Sequence, residues 1–149
     1  MTLIVDAGPV VASADETDSR RALVQDLLRN ERGALILPAP VSMQVDSLLG
    51  ESVSRSTRRA YREDLADGRF EVVCLEPEDY GIALQLDQQY PDLDLGLGQL
   101  SIIVLARKLR TRRVLTFEHK CFRAVKPLQG GAFTLLPTDT SDQTTLPLS

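Results

Sequence analysis

Two acidic residues, Asp6 and Glu118, come directly after short apolar runs at positions 3–5 and 113–117 that are typical of buried β-strands. In open α/β sheets, ligands bind in the crevice at the carboxyl ends of the strands. If both runs belong to one parallel sheet, the two carboxylates meet in one cleft and can form an acidic ligand site. The alternative is that each acid is a solvated loop residue or a helix cap.

The elements that must position these acids alternate along the chain between short apolar strands and helices. We predict strands at 3–5, 34–37, 70–75, 113–117 and 132–136, and helices at 18–30, 39–49, 54–67, 77–90 and 99–109, with a short turn or helix at 118–122. Gly8 and Pro9 predict a break after the first strand, and Gly50 predicts a helix end. This alternation is typical of an α/β protein whose mostly parallel sheet is covered by helices on both faces.

Length and composition limit the classes of protein to which the chain can belong. Its 149 residues suit a single domain, and 43% apolar with 26% charged residues exclude a wholly disordered or fibrous chain. The 17 basic and 21 acidic residues give a net charge of −4, which argues against nucleic-acid binding through bulk charge. A local basic patch remains open.

Several features favour a soluble, cytoplasmic protein that does not bind membranes. No apolar run reaches the roughly 18 to 20 residues of a membrane span, and the start of the chain lacks the basic region of a secretory signal. Cys74 and Cys121 lack a paired metal-ligand spacing, so we expect reduced thiols. Residues 138–149 are rich in Thr, Ser and Asp and predict a flexible C-terminal tail after a domain at 1–137.

Four segments carry a more specific signal in their order, spacing and loop sequences. They are LIVDAGPVVASAD, LILPAPVSMQVDSLLG, LDLGLGQLSIIVLARKL and RVLTFEHKCFRAVKPLQGGAFTLLP. Together they resemble PIN-domain proteins, especially bacterial VapC-type toxins, over about residues 2–136. The resemblance implies a PIN-like three-layer α/β/α sandwich and a homodimer. It also implies a magnesium- or manganese-dependent endoribonuclease that cuts RNA and is neutralised by a cognate antitoxin.

The resemblance further implies a metal site built from four acids. The first family acid falls on Asp6. The second, normally a glutamate, falls on Gln44, and the third, normally an aspartate, falls on Gln99. The fourth, normally an aspartate, falls on Glu118, which is a longer acid. Four formal negative charges have therefore become two, because amides are neutral.

The two glutamines leave two functions open. An amide offers a carbonyl oxygen to a hard cation but no charge, and it cannot accept a proton from water at neutral pH. One magnesium ion on Asp6 and Glu118 is still compatible, because this ion often uses one or two carboxylates plus substrate phosphates. Asp94, in the loop before Gln99, is a candidate substitute ligand. The chain is then either a ribonuclease toxin with a partly degenerate site or an inactive PIN domain that binds RNA or an antitoxin.

Further residues are candidates for supporting roles. Thr116 matches a small hydroxyl residue common before the fourth family acid and could orient a ligand, or it could be an ordinary strand residue. Arg123 and Lys120 could contact an RNA phosphate, as could the basic stretch 107–113, although solvated charges are the more common outcome. The apolar positions of 41–53 could form a groove for a partner helix, but ordinary core packing is favoured.

Overall fold

A computed structural model of the chain, which describes residues 2–139, contains one parallel sheet. Its strands are β1 (Leu3–Val5), β2 (Leu35–Pro38), β3 (Glu71–Val73), β4 (Arg113–Leu115) and β5 (Thr134–Leu136). Within the described residues they lie in the order β3-β2-β1-β4-β5, and each neighbouring pair is parallel. The predicted α/β class and parallel sheet are therefore confirmed.

The helices cover the sheet, and most of their contacts with one another join helices that are close in sequence. They are α1 (Ala7–Ala14), α2 (Arg21–Asn30), α3 (Ala39–Ser52), α4 (Arg55–Ala66), α5 (Pro77–Gln89), α6 (Leu97–Lys108) and α7 (His119–Ala124), with a 3-10 turn at Pro91–Leu93. Helix α3 contacts α1, α4 and α6, and α6 also contacts α5. None of the helices formed by residues 2–139 has the length and apolar character that crossing a membrane requires.

Strand β1 lies at the centre of the sheet and of the core. Its three residues are completely buried, which explains why the sequence is apolar at every position rather than alternating. Ile4 pairs with Ile36 of β2 on one side and with Val114 of β4 on the other. The residue that follows β1 therefore lies between the carboxyl ends of two neighbouring strands.

The predicted break at Gly8 and Pro9 is wrong, because α1 begins at Ala7 and includes both residues. Asp6 caps this helix, since its carboxylate accepts a hydrogen bond from the Ala7 amide. Pro9 is the third helical residue, where a backbone N–H would have no partner within the helix. The first turn therefore tolerates a residue that would disrupt the middle of a helix.

The predicted helix end at Gly50 is also wrong, because α3 continues to Ser52. The guanidinium group of Arg58 lies against Gly50 in the space that a Cβ atom would occupy. The glycine therefore makes room for the packing of α4 against α3 rather than ending the helix.

The prediction of a flexible tail concerns residues 140–149, which lie outside the described residues, and the two positions before them. The carboxylate of Asp139 accepts hydrogen bonds from the Leu135 amide at 2.7 Å and from Arg123 Nη2 at 2.5 Å. The Thr138 hydroxyl lies 3.0 Å from His119 Nε2. Both residues thus pair with side chains of α7.

A buried ion pair joins the residue after α2 to the start of β4. Arg113 binds both carboxylate oxygens of Glu31, at 2.6 and 3.1 Å. The side chains of Glu31 and Arg113 are only 7% and 19% exposed. The hydrogen bond from Arg113 holds the pKa of Glu31 below its usual range. The pair therefore stabilises the fold when Glu31 is ionised.

We expect Glu31→Gln to lower the free energy of unfolding by about 3 kcal/mol at pH 7, because it leaves Arg113 with an unmatched charge. Since the folded-state pKa of Glu31 is lowered, its stabilising effect is present above the unfolded pKa and disappears as the pH falls through the folded pKa. Urea unfolding at pH 7 and pH 3 measures this difference. Glu63→Gln, an exposed change on α4, is the control. Equal losses for the two variants at pH 7 would contradict the prediction.

Candidate functional site

The carboxylate of Asp6 is buried where β1 meets α1, and the residue is only 5% exposed. Its Oδ1 accepts a hydrogen bond from the Ala7 amide at 2.8 Å, and its Oδ2 accepts one from Thr116 Oγ1 at 2.7 Å. Its backbone N–H donates to the carbonyl of Leu115 at 2.9 Å. Asp6 is thus held by the amino end of α1 and by the strand next to its own.

Thr116 connects the two acids that the sequence analysis placed together. The residue is fully buried after β4, and its amide donates to the carbonyl of Leu136 at 3.1 Å. Its hydroxyl donates to Asp6 and accepts a hydrogen bond from the Glu118 amide at 2.9 Å. One side chain therefore fixes both the carboxylate of Asp6 and the backbone of Glu118.

The electrostatics around these two acids, a region called the acidic pocket below, favour positive charge. Burial raises the pKa of Asp6, while hydrogen bonds from Thr116 and Ala7 lower it and the charge of Glu118 raises it further. Burial raises the pKa of Cys121 to about 11, and the charges of Asp6 and Glu118 act in the same direction. In the part of the chain that the structure describes, no lysine or arginine forms an ion pair with either acid. The pocket therefore favours a cation.

The two glutamines lie at the amino end of α6. Gln44, on α3, is exposed, and its Oε1 is 2.9 Å from the position that a Cβ atom on Gly98 would occupy. Gln99 Oε1 accepts a hydrogen bond from the Gly96 amide at 3.1 Å and so caps α6. One of the two lone pairs that the Gln99 carbonyl oxygen could offer to a cation is therefore already bound to the helix. Helix α3 packs against both α1 and α6, which brings the residues after β1 and β2 into one region of the fold.

The oxygen ligands at the carboxyl ends of β1 and β4 suit at most one hard cation. Residues 2–139 contain no cluster of three or more His, Cys, Asp or Glu side chains able to hold a metal ion. The two acids alone match an ion such as magnesium that keeps several waters and also binds substrate phosphates. The buried carboxylate of Asp6, without a cationic side chain beside it, fits that role. Asp94 is exposed, with a left-handed backbone (φ 48°) just after the 3-10 turn.

The basic residues differ in how much of their charge is already paired. Arg123 binds Asp139, a partner that the sequence analysis had assigned to the tail. Lys120 is exposed and forms no ion pair within the described residues. In the stretch 107–113, Lys108 pairs with Asp79 at 2.8 Å, and Arg113 pairs with Glu31. The stretch 107–113 leads into the amino end of β4, whereas Thr116 and Glu118 follow the carboxyl end of this strand. The basic stretch therefore lies toward the edge of the sheet opposite to the two acids Asp6 and Glu118.

A cleft of about 730 Å³ lies among α1, α2, α3 and α4. Its apolar lining includes Leu28 of α2, Leu49 of α3 and Ala60 of α4. Leu49 is the one residue of the predicted partner groove at 41–53 that lines this cleft. Val41 and Val45 are completely buried in the core, as the alternative of ordinary packing predicts.

Comparisons with known proteins give a consistent likeness. No protein-family model matches the chain. Ribonuclease VapC26 of Mycobacterium tuberculosis (strain ATCC 25618 / H37Rv) is 27% identical over 135 residues, which cover 91% of this chain and all of that protein. The crystal structure of M. tuberculosis VapC20, a sarcin-ricin loop cleaving toxin, superposes with a TM-score of 0.72 at 12% identity, over 78% of this chain and 90% of that one.

A second solved structure has the same architecture. VapBC2 from Rickettsia felis, bound to a DNA fragment from their promoter, matches with a TM-score of 0.63 at 15% identity. The match covers 86% of this chain and 96% of the other. At these identities the two structures establish the fold, and the curated relative extends the likeness to the sequence.

Proposed function

We propose that the chain is a PIN-domain protein of the VapC type and a metal-dependent endoribonuclease with the toxin role of a toxin-antitoxin system. Its likeness to VapC proteins supports this proposal. The observation that carries the proposal is the buried carboxylate of Asp6, fixed by Thr116 beside the charge of Glu118. The whole-length likeness to a VapC ribonuclease supports the same reaction.

In this proposal, Asp6 and Glu118 hold a magnesium or manganese ion. Such an ion supplies a water of lowered pKa and neutralises the charge that grows on the phosphate oxygens. Each oxygen of Asp6 accepts one hydrogen bond within the protein and keeps a lone pair for the ion. Thr116 orients Asp6 and the backbone of Glu118, while Gln44 and Gln99 provide neutral or water-mediated contacts. No protein nucleophile is needed.

The proposal includes RNA contacts from α7. Lys120 is exposed one residue after the helix begins, and the side chain of Arg123 is 47% exposed despite its bond to Asp139. Both can donate to a phosphate of a strand that reaches Glu118. An RNA substrate also places the proposed activity in the cytoplasm.

The direct test is cleavage of a labelled structured RNA by the purified chain. We expect cleavage with manganese and none after EDTA is added in excess. Isothermal titration with manganese should show binding in the wild-type chain. Metal binding without cleavage would contradict the nuclease proposal.

A second candidate, a catalytically inactive PIN domain, has its own supporting observation. The oxygen of Gln99 is engaged by the Gly96 amide, and the site has half of the family's ligand charge. This candidate predicts no measurable manganese binding. Micromolar binding that Asp6→Ala abolishes would contradict an inactive site.

We also propose that the cleft among α1, α2, α3 and α4 binds an apolar segment of a cognate antitoxin. Support comes from its apolar lining and from the likeness to VapBC2. We expect Ala60→Arg, an exposed change on α4, to abolish co-purification with the cognate antitoxin of this proposal. RNA cleavage should remain, because α4 does not contribute to the acidic pocket. Co-purification that survives this change would count against the cleft.

A homodimer is proposed on the family likeness and on two exposed apolar side chains. Met43 of α3 and Leu97 of α6 are 74% and 49% exposed on helices that pack together. Apolar side chains of this kind are commonly covered by a partner. Light scattering should give the mass of two chains, and a monomer mass would overturn this part of the proposal.

A further inference from the structure

One cationic side chain near the acidic pocket has no role in the function proposed above. Arg20 precedes α2, and its Cζ atom lies 3.9 Å from the centroid of the Phe117 ring. At this distance the positive charge is attracted to the face of the aromatic ring. The ring thus fixes the position of a charge that would otherwise belong to a mobile surface side chain.

Phe117 connects Arg20 to the residues of the pocket. It lies between Thr116 and Glu118 in the chain. Its Cδ2 atom is 3.2 Å from the position that a Cβ atom on Gly8 would occupy, in the first turn of the helix that Asp6 caps. The ring therefore rests against the start of α1, the helix that Asp6 caps, and Arg20 lies over this ring.

Asp18 holds the same guanidinium group along one edge. Arg20 Nε donates to Asp18 Oδ1 at 3.0 Å, and Arg20 Nη2 donates to Oδ2 at 2.9 Å. Nη1 donates no hydrogen bond to any of residues 2–139, and the Arg20 side chain is 51% exposed. A guanidinium has two edges that can each bind an oxyanion, so the edge that carries Nη1 remains for a ligand.

We infer that Arg20 binds a phosphate of the RNA strand that enters the pocket of Asp6 and Glu118, an inference that rests on the proposed function. Asp6 and Glu118 are acidic, so a fixed cation on the residue between Thr116 and Glu118 lowers the repulsion that an RNA strand meets there. Arg20 provides this cation because Phe117 and Asp18 hold it in place before RNA arrives, which lowers the entropy lost on binding.

The test measures RNA binding without cleavage. Fluorescence anisotropy with a labelled RNA stem-loop in EDTA gives the dissociation constant at several salt concentrations. We expect Arg20→Gln to raise the dissociation constant about 5- to 10-fold and to reduce the salt slope by about 0.7 to 0.9, the value for one phosphate contact. Arg20→Lys keeps the charge but not the planar fork of the guanidinium. Its dissociation constant should lie between those of the wild-type chain and Arg20→Gln.

Arg29→Gln is the matched control. Arg29 lies on α2, is 70% exposed and also pairs with an aspartate three residues away. If Arg20→Gln and Arg29→Gln raise the RNA dissociation constant equally, the effect comes from the loss of one positive charge anywhere on the surface, and the inference is overturned. An unchanged dissociation constant for Arg20→Gln, or no RNA binding by the wild-type chain, would also overturn it. Failure of the proposed nuclease is seen separately, as absent cleavage with manganese.

Discussion

A chain with both Gln44→Glu and Gln99→Asp should cleave RNA about 100-fold faster than the wild-type chain at saturating manganese. The two changes add two negative charges at positions that the proposed site groups with Asp6 and Glu118. They also supply carboxylates that can accept a proton from water, which the amides cannot do at neutral pH. Initial rates of cleavage of a labelled RNA measure the effect.

The fold should tolerate the change at Gln99. This residue is the third of α6 and caps the helix through the Gly96 amide. Asp79 occupies the same position in α5, where its carboxylate accepts a hydrogen bond from the Glu76 amide at 2.8 Å. An aspartate at position 99 can therefore keep the cap, and the melting temperature should change little.

The control for this prediction is Gln85→Glu with Gln88→Glu on α5. Both residues are exposed, and the pair makes the same change in net charge away from the pocket. A rise in rate for the control would show that bulk charge is responsible. An unchanged rate for the chain altered at 44 and 99 would show that these positions do not complete the site.

The second large effect is expected for Asp6→Asn, which should reduce manganese-dependent cleavage by about 100-fold or more. An amide of the same shape keeps an acceptor for Thr116 but loses the charge that would hold a divalent ion in the proposed site. The same change should raise the free energy of unfolding at pH 7. Burial raises the folded-state pKa of Asp6 above 3.8, so ionisation of Asp6 destabilises the folded chain.

The size of this stability change depends on pH. Well below the ordinary Asp value of 3.8, the carboxyl group is neutral in both states and Asp6→Asn should change little. As the pH rises from the unfolded to the folded pKa, the wild-type chain loses stability and the variant does not. Thermal melts at pH 3 and pH 7 measure this, with the exposed change Asp87→Asn as control. Full activity in Asp6→Asn would show that this carboxylate does not bind the metal.

The sequence predicts that Asp6 and Glu118 lie close together, because the prediction depends on the residues directly before each acid. Each acid comes directly after an apolar run, and the carboxyl ends of parallel strands meet at one edge. The apolar character of residues 3–5 likewise indicates a strand buried on both faces. These patterns depend on neighbours in sequence, so one chain is enough to interpret them.

Other features depend on contacts between distant segments, and the sequence alone does not reveal them. Gly50 has the residue type of a helix end, but the packing of Arg58 determines its role. Asp139 lies in a polar segment typical of a tail, yet it binds Arg123 and the end of the sheet. Arg20 and Phe117 are 97 positions apart, and only the folded chain shows that they stack.

The strand order has a consequence for protein synthesis. Strand β4 lies directly beside β1, although β2, β3 and six helices separate them along the chain. A ribosome therefore makes Asp6 and Glu118, the two acids of the proposed site, at widely separated times. Every product that terminates before residue 113 lacks Thr116 and Glu118 and should be harmless to RNA. The proposed activity therefore requires that translation pass residue 118.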